Sequence, residues 1–580
     1  MIVYFPRGID TRVAFTKVLA LALLAVASTL AYSQDRPDTG TVLQQAREPF
    51  RLPPPAEPDL RPRPPEPKPA LGAQPQLKVK VTAFTFSGNT LIPESELATS
   101  VAEFIGKELD FEGLNDAATN ARAYYRSRGY FLAQAYLPQQ TIRNGVVEIT
   151  IIEGRWGTIE LDKKPATRIS TKLLAGILGA HLRQGDIITE TGLERPLLLI
   201  NDLPDASVTT ELRPSETVGA ANLRVNVDPG AGAFNGNVDF DNHGNRFTGE
   251  YRFGFNVSVN SPLGWGDRAS VRAFTTDERM SYGRVAYDLP VGYYGTRLGV
   301  SYAHFDYALS KDFASLQANG EGDVKTVYLF HPFVRTRNSN LILALAFEDK
   351  TLIDRIDTQG VNDQRNIYTY KAGLVGDFRD GFLGGGLNAY SASYTWGNVG
   401  ISPLATEQAD LGTNGRQTEG NFYKWNFDLR RQQRITDDAS ILFSVSGQVA
   451  SKNLASAEKF SLGGPNGVRA YPVGEATADS GYVTQTELRY IIPGFKFLNG
   501  DATVIAFYDW GAAKINQNPF PTDSENYRSF GGFGVGGSLG REGDFLLRIS
   551  ASVRSDNAEK PQADTADRTP RFWVQAIKWF

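Results

Sequence analysis

The chain has 580 residues, with 60 Lys and Arg, 64 Asp and Glu, four histidines and no cysteine. A net charge of −4 leaves no basic footprint for nucleic acid, and the lack of cysteine excludes disulfides and thiolate chemistry. The histidines (His181, His243, His304, His331) are too dispersed for a metal-ligand spacing, and the length calls for several domains.

Residues 1–33 read as a secretory signal peptide. Arg7, Arg12 and Lys17 precede the apolar run Val18–Ala27, and Ala31-Tyr32-Ser33 supplies a small-x-small cleavage site. No other segment offers the roughly 18 apolar residues of a membrane-spanning helix. Residues 34–76 are of another kind. Ten prolines fall between Pro53 and Pro75, which favours polyproline II and gives a reach of roughly 70 Å at ~3.1 Å per residue. Before them, Thr39–Phe50 predicts a short helix, so this segment reads as a helix on a semi-rigid leash.

From residue 77 the pattern is α/β. Lys78–Phe86 predicts a strand. Leu97, Val101, Phe104 and Ile105 predict one helix face, and Leu114, Ala117, Ala118, Ala121 and Tyr125 a second, closed by Gly129. Tyr130–Pro138 and Gly145–Gly154 predict strands. The order strand, helix, helix, strand, strand then recurs. Gly157–Leu161 is a strand, and Leu173, Leu174, Ile177 and Leu178 mark a helix. Leu193–Pro204 gives a second helix, with Pro196 confined to its first turn. Ser207–Pro214 and Ala221–Pro229 close the unit. Residues 77–154 and 155–229 are thus two copies of one module.

After Gly230 the period changes to two. Tyr251, Phe253, Phe255, Val257 and Val259 alternate with Arg252, Asn256, Ser258 and Asn260. Ile441, Phe443, Val445 and Val449 oppose Ser444, Ser446 and Gln448; Phe545, Leu547, Ile549, Ala551 and Val553 oppose Arg548, Ser550, Ser552 and Arg554. Such strands are longer than the five or six residues usual in soluble sandwiches, at about ten. An apolar outside and a polar lumen predict a transmembrane β-barrel, which pairs every backbone group within the protein. Arg571–Phe580 reads as its last strand. Phe572, Val574, Ala576, Lys578 and Phe580 take the lipid face, Lys578 snorkels, and Trp579 and Phe580 join the aromatic girdle. In Asp501–Trp510 the alternation points Asp509 and Thr503 into the lumen, with Ala502, Val504 and Ala506 outward. Gly532–Gly537 fits G-x-G-x-x-G but opens no helix, so it is no dinucleotide site; its glycines leave room for a packed loop.

Between two barrel strands lies FSLGGPNGVRAYPVGEATADSGYV (Phe460–Val483), too rich in Gly, Pro and Asn for a strand. It resembles the loop of two-partner secretion transporters, the hemolysin secretion/activation proteins. Val468-Arg469-Ala470-Tyr471 is similar to that family's Val-Arg-Gly-Tyr. Asp479, Gly481 and Tyr482 match the continuation, and Glu487 the next strand. Phe507-Tyr508-Asp509, with Gly511 beyond it, resembles the second motif, Phe-x-Asp. The tandem modules resemble POTRA domains.

The resemblance implies a mostly β fold. A 16-stranded transmembrane β-barrel (230–580) follows two α/β POTRA domains (77–154 and 155–229), an N-terminal plug helix (about 39–50) and a Pro-rich linker (within 34–76). It implies the outer membrane of a Gram-negative bacterium, POTRA domains in the periplasm, and export of a large secreted exoprotein such as a hemolysin, adhesin or toxin. Outer-membrane lipid and the barrel-assembly machinery are the other implied partners, with Phe572 and Phe580 as the C-terminal assembly signal. Arg469 sits on a loop long enough to fold into the lumen and meet Asp509 in a bidentate pair, a latch for the loop. Ala470 in place of Gly disfavours a left-handed backbone there. No catalytic motif, metal site or cofactor is expected. The expected function is an outer-membrane pore that recognises an unfolded exoprotein through its POTRA domains and exports it. The alternative is a barrel-assembly insertase of the same superfamily; the number of modules and the plug helix speak for export.

Overall fold

The structure is a computed structural model and describes residues 36–46, 78–520, 525–555, 559–564 and 566–580. The signal-peptide reading, the Pro-rich linker and the last four residues of the predicted Thr39–Phe50 helix lie outside the described residues; that helix runs over Thr39–Ala46.

The first module comprises β1 (Val79–Lys80), β2 (Ala83–Ser87), a helix (Glu94–Ser100), β3 (Glu108–Leu109), a helix (Phe111–Ser127), β4 (Gln134–Tyr136) and β5 (Val146–Ile152). The sheet order is β2-β5-β4, with β2 parallel and β4 antiparallel to β5. The first helix stops at Ser100 and a 3-10 turn follows, so Ile105 leaves the predicted helix face and is exposed. Gly106 at φ 84° then reverses the chain, a conformation that suits glycine. Asp110 caps the second helix by accepting from the Gly113 N–H. Its buried face is the predicted one, Leu114, Ala117, Ala118, Ala121 and Tyr125. Buried Glu153 accepts from the amides of Thr90 (2.6 Å) and Leu91 (2.7 Å) and from the Tyr125 hydroxyl (3.0 Å).

The second module repeats this connectivity with β6 (Arg155–Lys163), helices Thr171–His181 and Glu190–Asn201, β7 (Ser207–Pro214) and β8 (Ala220–Asp228). Its order is β6-β8-β7, again one parallel and one antiparallel pair. The second helix begins earlier than predicted, because the Thr189 side chain accepts from the Gly192 N–H and caps it. Pro196 therefore sits beyond the first turn, where its ring is buried and one helical hydrogen bond is forgone.

Among the described residues sixteen strands close into one barrel. They are β9 (Phe234–Asp241), β10 (Arg252–Asn260), β11 (Arg268–Thr276), β12 (Met280–Val291), β13 (Thr296–Ala308), β14 (Ala318–Arg335), β15 (Ser339–Ile356), β16 (Val361–Asp380), β17 (Gly386–Ser402), β18 (Gly420–Arg434) and β19 (Ala439–Ala450). After a loop that holds the short pair β20 (Phe460–Ser461) and β21 (Thr477–Ala478) come β22 (Ser480–Phe497), β23 (Gly500–Lys514), β24 (Tyr527–Arg541), β25 (Phe545–Arg554) and β26 (Arg571–Trp579). All neighbours are antiparallel, and β26 pairs with β9 to seal the barrel.

The alternation read from the sequence sets the two faces. Tyr251, Phe253 and Phe255 on the first face, like Phe443, Val449 and Ile549, are exposed outward. On β26, Phe572 and Phe580 face outward, while Trp573, Gln575, Ile577 and Trp579 line the lumen. Trp579 is thus not in the girdle. It lies one residue from Phe580, and a period of two sends neighbours to opposite faces. Lys578 pairs with Asp544 in the turn after β24.

The second module docks on the turns at the end of the barrel where the chain enters. Asp202 receives two hydrogen bonds from Arg335, at 2.8 and 2.6 Å. Arg335 is buried and also donates to Asn340, which donates to Asp377. Arg195 donates to the carbonyls of Pro332 and Phe333. Asp202→Ala leaves a buried guanidinium short of a partner, a cost on the order of 1–3 kcal/mol. The expected result is faster limited proteolysis between module and barrel, with the barrel's heat-modifiability unchanged; cleavage at the parental rate would remove this pair as the docking contact.

Candidate functional site

The loop between β19 and β22 turns inward and fills part of the lumen. Leu462, Val468, Ala470 and Tyr471 form a buried cluster with Val483, Ala513 and Phe530 of the wall. Tyr471 stacks on Phe530 at 4.0 Å between ring centroids, and its hydroxyl donates to the Glu559 carbonyl. This packing places Arg469, 6 % exposed, against Asp509, which is fully buried on β23.

The pairing is a fork. Arg469 Nε donates to Asp509 Oδ2 at 2.8 Å and a terminal nitrogen to Oδ1 at 2.6 Å, while the Arg469 amide adds a third bond at 3.1 Å. The remaining guanidinium nitrogen donates to Glu487 Oε1 on β22 at 2.7 Å. The Phe507 ring lies beneath the guanidinium, 3.5 Å from it, so a cation–π contact supports the same group. The Arg469 carbonyl accepts from Ser552 Oγ (2.7 Å) and Trp573 Nε1 (2.8 Å) on β25 and β26. Burial alone would push the Arg469 guanidinium down; the carboxylates of Asp509 and Glu487 outweigh it and hold its pKa above the ordinary value. Side chains from four wall strands therefore converge on one residue of the loop.

Glycines make the approach possible. A Cβ at Gly532 would lie 2.3 Å from the Ala470 Cβ, and one at Gly534 would meet the Phe507 ring at 2.5 Å. Gly511 likewise leaves room for Leu462. Ala470 does not adopt positive φ; that conformation falls on Ala476, at 47°.

The helix Thr39–Ala46 also lies in the lumen. The Thr39 amide and hydroxyl donate to Asp354 of β15 at 2.8 and 2.6 Å, and Ser456 of the loop donates to Asp38 at 2.6 Å. Gln44 donates to the carbonyls of Ser456 and Lys459, and Arg252 to that of Gln45. Burial would raise the Asp38 pKa, but the Arg365 charge and hydrogen bonds from Ser456 and Thr41 hold it below the ordinary value. Val42, Leu43 and Ala46 pack among buried wall residues that include Phe305 and Leu352. Beside loop and helix remains a polar cavity of about 1180 Å³, lined by residues such as Asp239, Arg272, Asn426 and Gln485.

The family model of haemolysin secretion/activation proteins ShlB/FhaC/HecB matches residues 219–540, more than half the chain. The chain belongs to this family. The ShlB-type POTRA domain model matches residues 79–154 of this transporter. The heme/hemopexin transporter protein HuxB of Haemophilus influenzae is 29% identical over 497 residues, 85% of each chain. The outer membrane transporter CdiB of Escherichia coli O6:K15:H31 is 26% identical over 442 residues, 74% of this chain and 72% of that one. In fold, the chain superposes on CdiB from Escherichia coli with a TM-score of 0.68 at 21% identity, over 96% of this chain and 98% of that chain. BamA from Haemophilus ducreyi lacking POTRA domains 1-3 gives 0.51 at 11% identity, over 87% of this chain and 100% of that chain. The transporter is a two-partner secretion pore of the outer membrane, with its POTRA region on the periplasmic side.

Not all predicted residues of this transporter meet. Val468, Arg469, Ala470, Tyr471, Phe507, Asp509 and Gly511 share the loop–wall contact. Asp479 lies at the loop's base, where it accepts from the Leu454 and Gln517 amides and pairs with Lys459 at 3.2 Å. Burial raises its pKa, and the Lys459 charge offsets only part of that. Gly481 is in β22 opposite Ala513, and Phe572 and Phe580 are on the outer surface. The part played by Glu487, Ser552 and Trp573 was not read from the sequence, although the alternation of β22 already turns Glu487 inward. Glu475 was also missed: fully buried, it pairs with Arg528 and accepts from the amides of Gln562 and Ala563, tying in the last surface loop.

Proposed function

We propose that this transporter receives one large, unfolded exoprotein at two periplasmic POTRA domains, 77–154 and 155–229, and passes it through the barrel lumen to the cell surface. The observation that carries this reading is the lumenal loop held at Arg469, because a pore that must stay shut between clients needs a releasable internal closure. The sheet edges of the modules present main-chain donors and acceptors to an extended client, which suits a chain that is not yet folded. Folding outside then draws the client through. The Thr39–Ala46 helix is the plug. The chain performs no catalysis in this reading. Outer-membrane lipid surrounds the barrel, and the assembly machinery takes up the nascent chain by Phe572 and Phe580. The exported exoprotein belongs to the hemolysin, adhesin or toxin class.

The test is co-expression with the large exoprotein encoded beside this chain, against the same strain without it. Appearance of that exoprotein outside the cell only when the transporter is present is the expected result. A client held in the periplasm in both strains, with other barrels failing to assemble when this chain is missing, would favour an insertase.

A further inference from the structure

A second ionic cluster lies in the lumen, and its members are distinct from those around Arg469. Glu458, at the end of the 3-10 turn Ser456–Glu458, is 2 % exposed. Its carboxylate meets Lys350 Nζ of β15 at 2.7 Å and Lys424 Nζ of β18 at 2.8 Å. Its carbonyl accepts from Lys424 and from Gln448 of β19. Lys350 also pairs with Glu348 at 2.6 Å. The same short turn is the seat of the lumenal helix. Ser456 holds Asp38, Gln44 donates to Ser456 and Lys459, and a Cβ at Gly40 would lie 2.3 Å from the Ala457 nitrogen.

We infer that Glu458 is a second anchor of the lumenal loop, a positioning residue that decides whether the Thr39–Ala46 helix stays seated. This rests on the reading of that helix as a plug. The sign of the effect follows from where the two lysines are hydrated. With the turn in place both are buried, and the Glu458 carboxylate is the counter-charge they share. With the turn withdrawn they face an aqueous channel and need no partner. Loss of the carboxylate therefore penalises only the seated state, and the equilibrium moves towards release. Loss of Lys424 together with the carboxylate restores the charge balance and leaves Lys350 its Glu348 partner, so it lifts most of that penalty. Arg469 keeps its own partners throughout, so the two anchors act on different limbs of the loop.

The chain has no cysteine, so Leu43→Cys introduces a unique thiol on a helix residue that is 4 % exposed. The experiment measures its labelling rate by a membrane-impermeant maleimide, and channel conductance in planar bilayers, on full-length protein. Glu458→Gln is expected to speed labelling on the order of tenfold or more, because stranding charges of a buried cluster is strongly unfavourable. Its conductance should approach that of a chain lacking residues 34–52, and combining it with that deletion should add nothing. Lys424→Met with Glu458→Gln should return labelling towards the parental rate. If Glu458→Gln does not fold, Glu458→Asp should label at an intermediate rate. Parental labelling in a folded Glu458 variant overturns the inference. A deletion that leaves conductance unchanged instead removes the plug reading, and the labelling rate still tests the anchor.

Discussion

Arg469→Ala is expected to insert as a folded barrel and to export at least about tenfold less exoprotein, since stranding one partner of a buried ion pair costs roughly 3–5 kcal/mol. Here the stranded partner is Asp509, fully buried, with Glu487 beside it. Two carboxylates would be left with no guanidinium between them, and the loop would lose the fork, the Phe507 contact and the reason for its path. The Ser552 and Trp573 bonds go to the Arg469 carbonyl and survive the substitution, so the loop should shift rather than leave as a whole. Arg469→Lys should fare little better: a single ammonium cannot address both oxygens of Asp509 and also Glu487 in one plane. Asp509→Asn should also lower export, because one amide oxygen replaces two accepting carboxylate oxygens and the amide NH2 then faces a guanidinium donor. Heat-modifiability reports the barrel, and exoprotein in the medium per cell reports export. Normal export by a folded Arg469→Ala protein would leave the loop with no latch at this site.

Deleting residues 34–52 is expected to raise single-channel conductance. The helix with its side chains occupies a cylinder about 10–12 Å across. It is seated against β13, β14, β15 and the loop turn at Ser456, in a lumen whose remaining cavity is about 1180 Å³. Removing it joins the space it fills to that cavity. The loop stays latched through Arg469, so the increase should fall short of an empty sixteen-stranded pore. Conductance traces of parent and deletion in the same lipid decide the matter; identical values would assign the helix another role. Exoprotein export should persist in the deletion, because the plug in this reading only closes the resting pore.

Much of this architecture is legible in the sequence because the information is local. A period of two over ten residues fixes which side of β10 or β25 meets lipid, and a turn-rich stretch between strands marks the loop. Asp509 could be aimed into the lumen from its neighbours alone. Where local patterns failed, a distant contact decided. Trp573 reaches the Arg469 carbonyl and Lys350 reaches Glu458 across about a hundred residues, through barrel closure that no window of sequence contains. At the first helix, Val101 is core as the spacing predicts but Ile105 is not, because the α-helix stops at Ser100 and a 3-10 turn follows. Trp579 departs from the expected girdle because the alternation that turns Phe580 outward sends its neighbour inward.

The strands differ greatly in length. β9, β10 and β11 have 8, 9 and 9 residues, whereas β14, β15 and β16 have 18, 18 and 20. A tilted strand needs about 9–11 residues to cross the bilayer, and the ends facing the second module are tied by short turns. The surplus of the long strands therefore stands above the outer leaflet as a one-sided wall. Its crest is the turn Asp357–Gly360, which is exposed. That crest is the natural place for an epitope tag or an antibody, a handle that reports the transporter on intact cells.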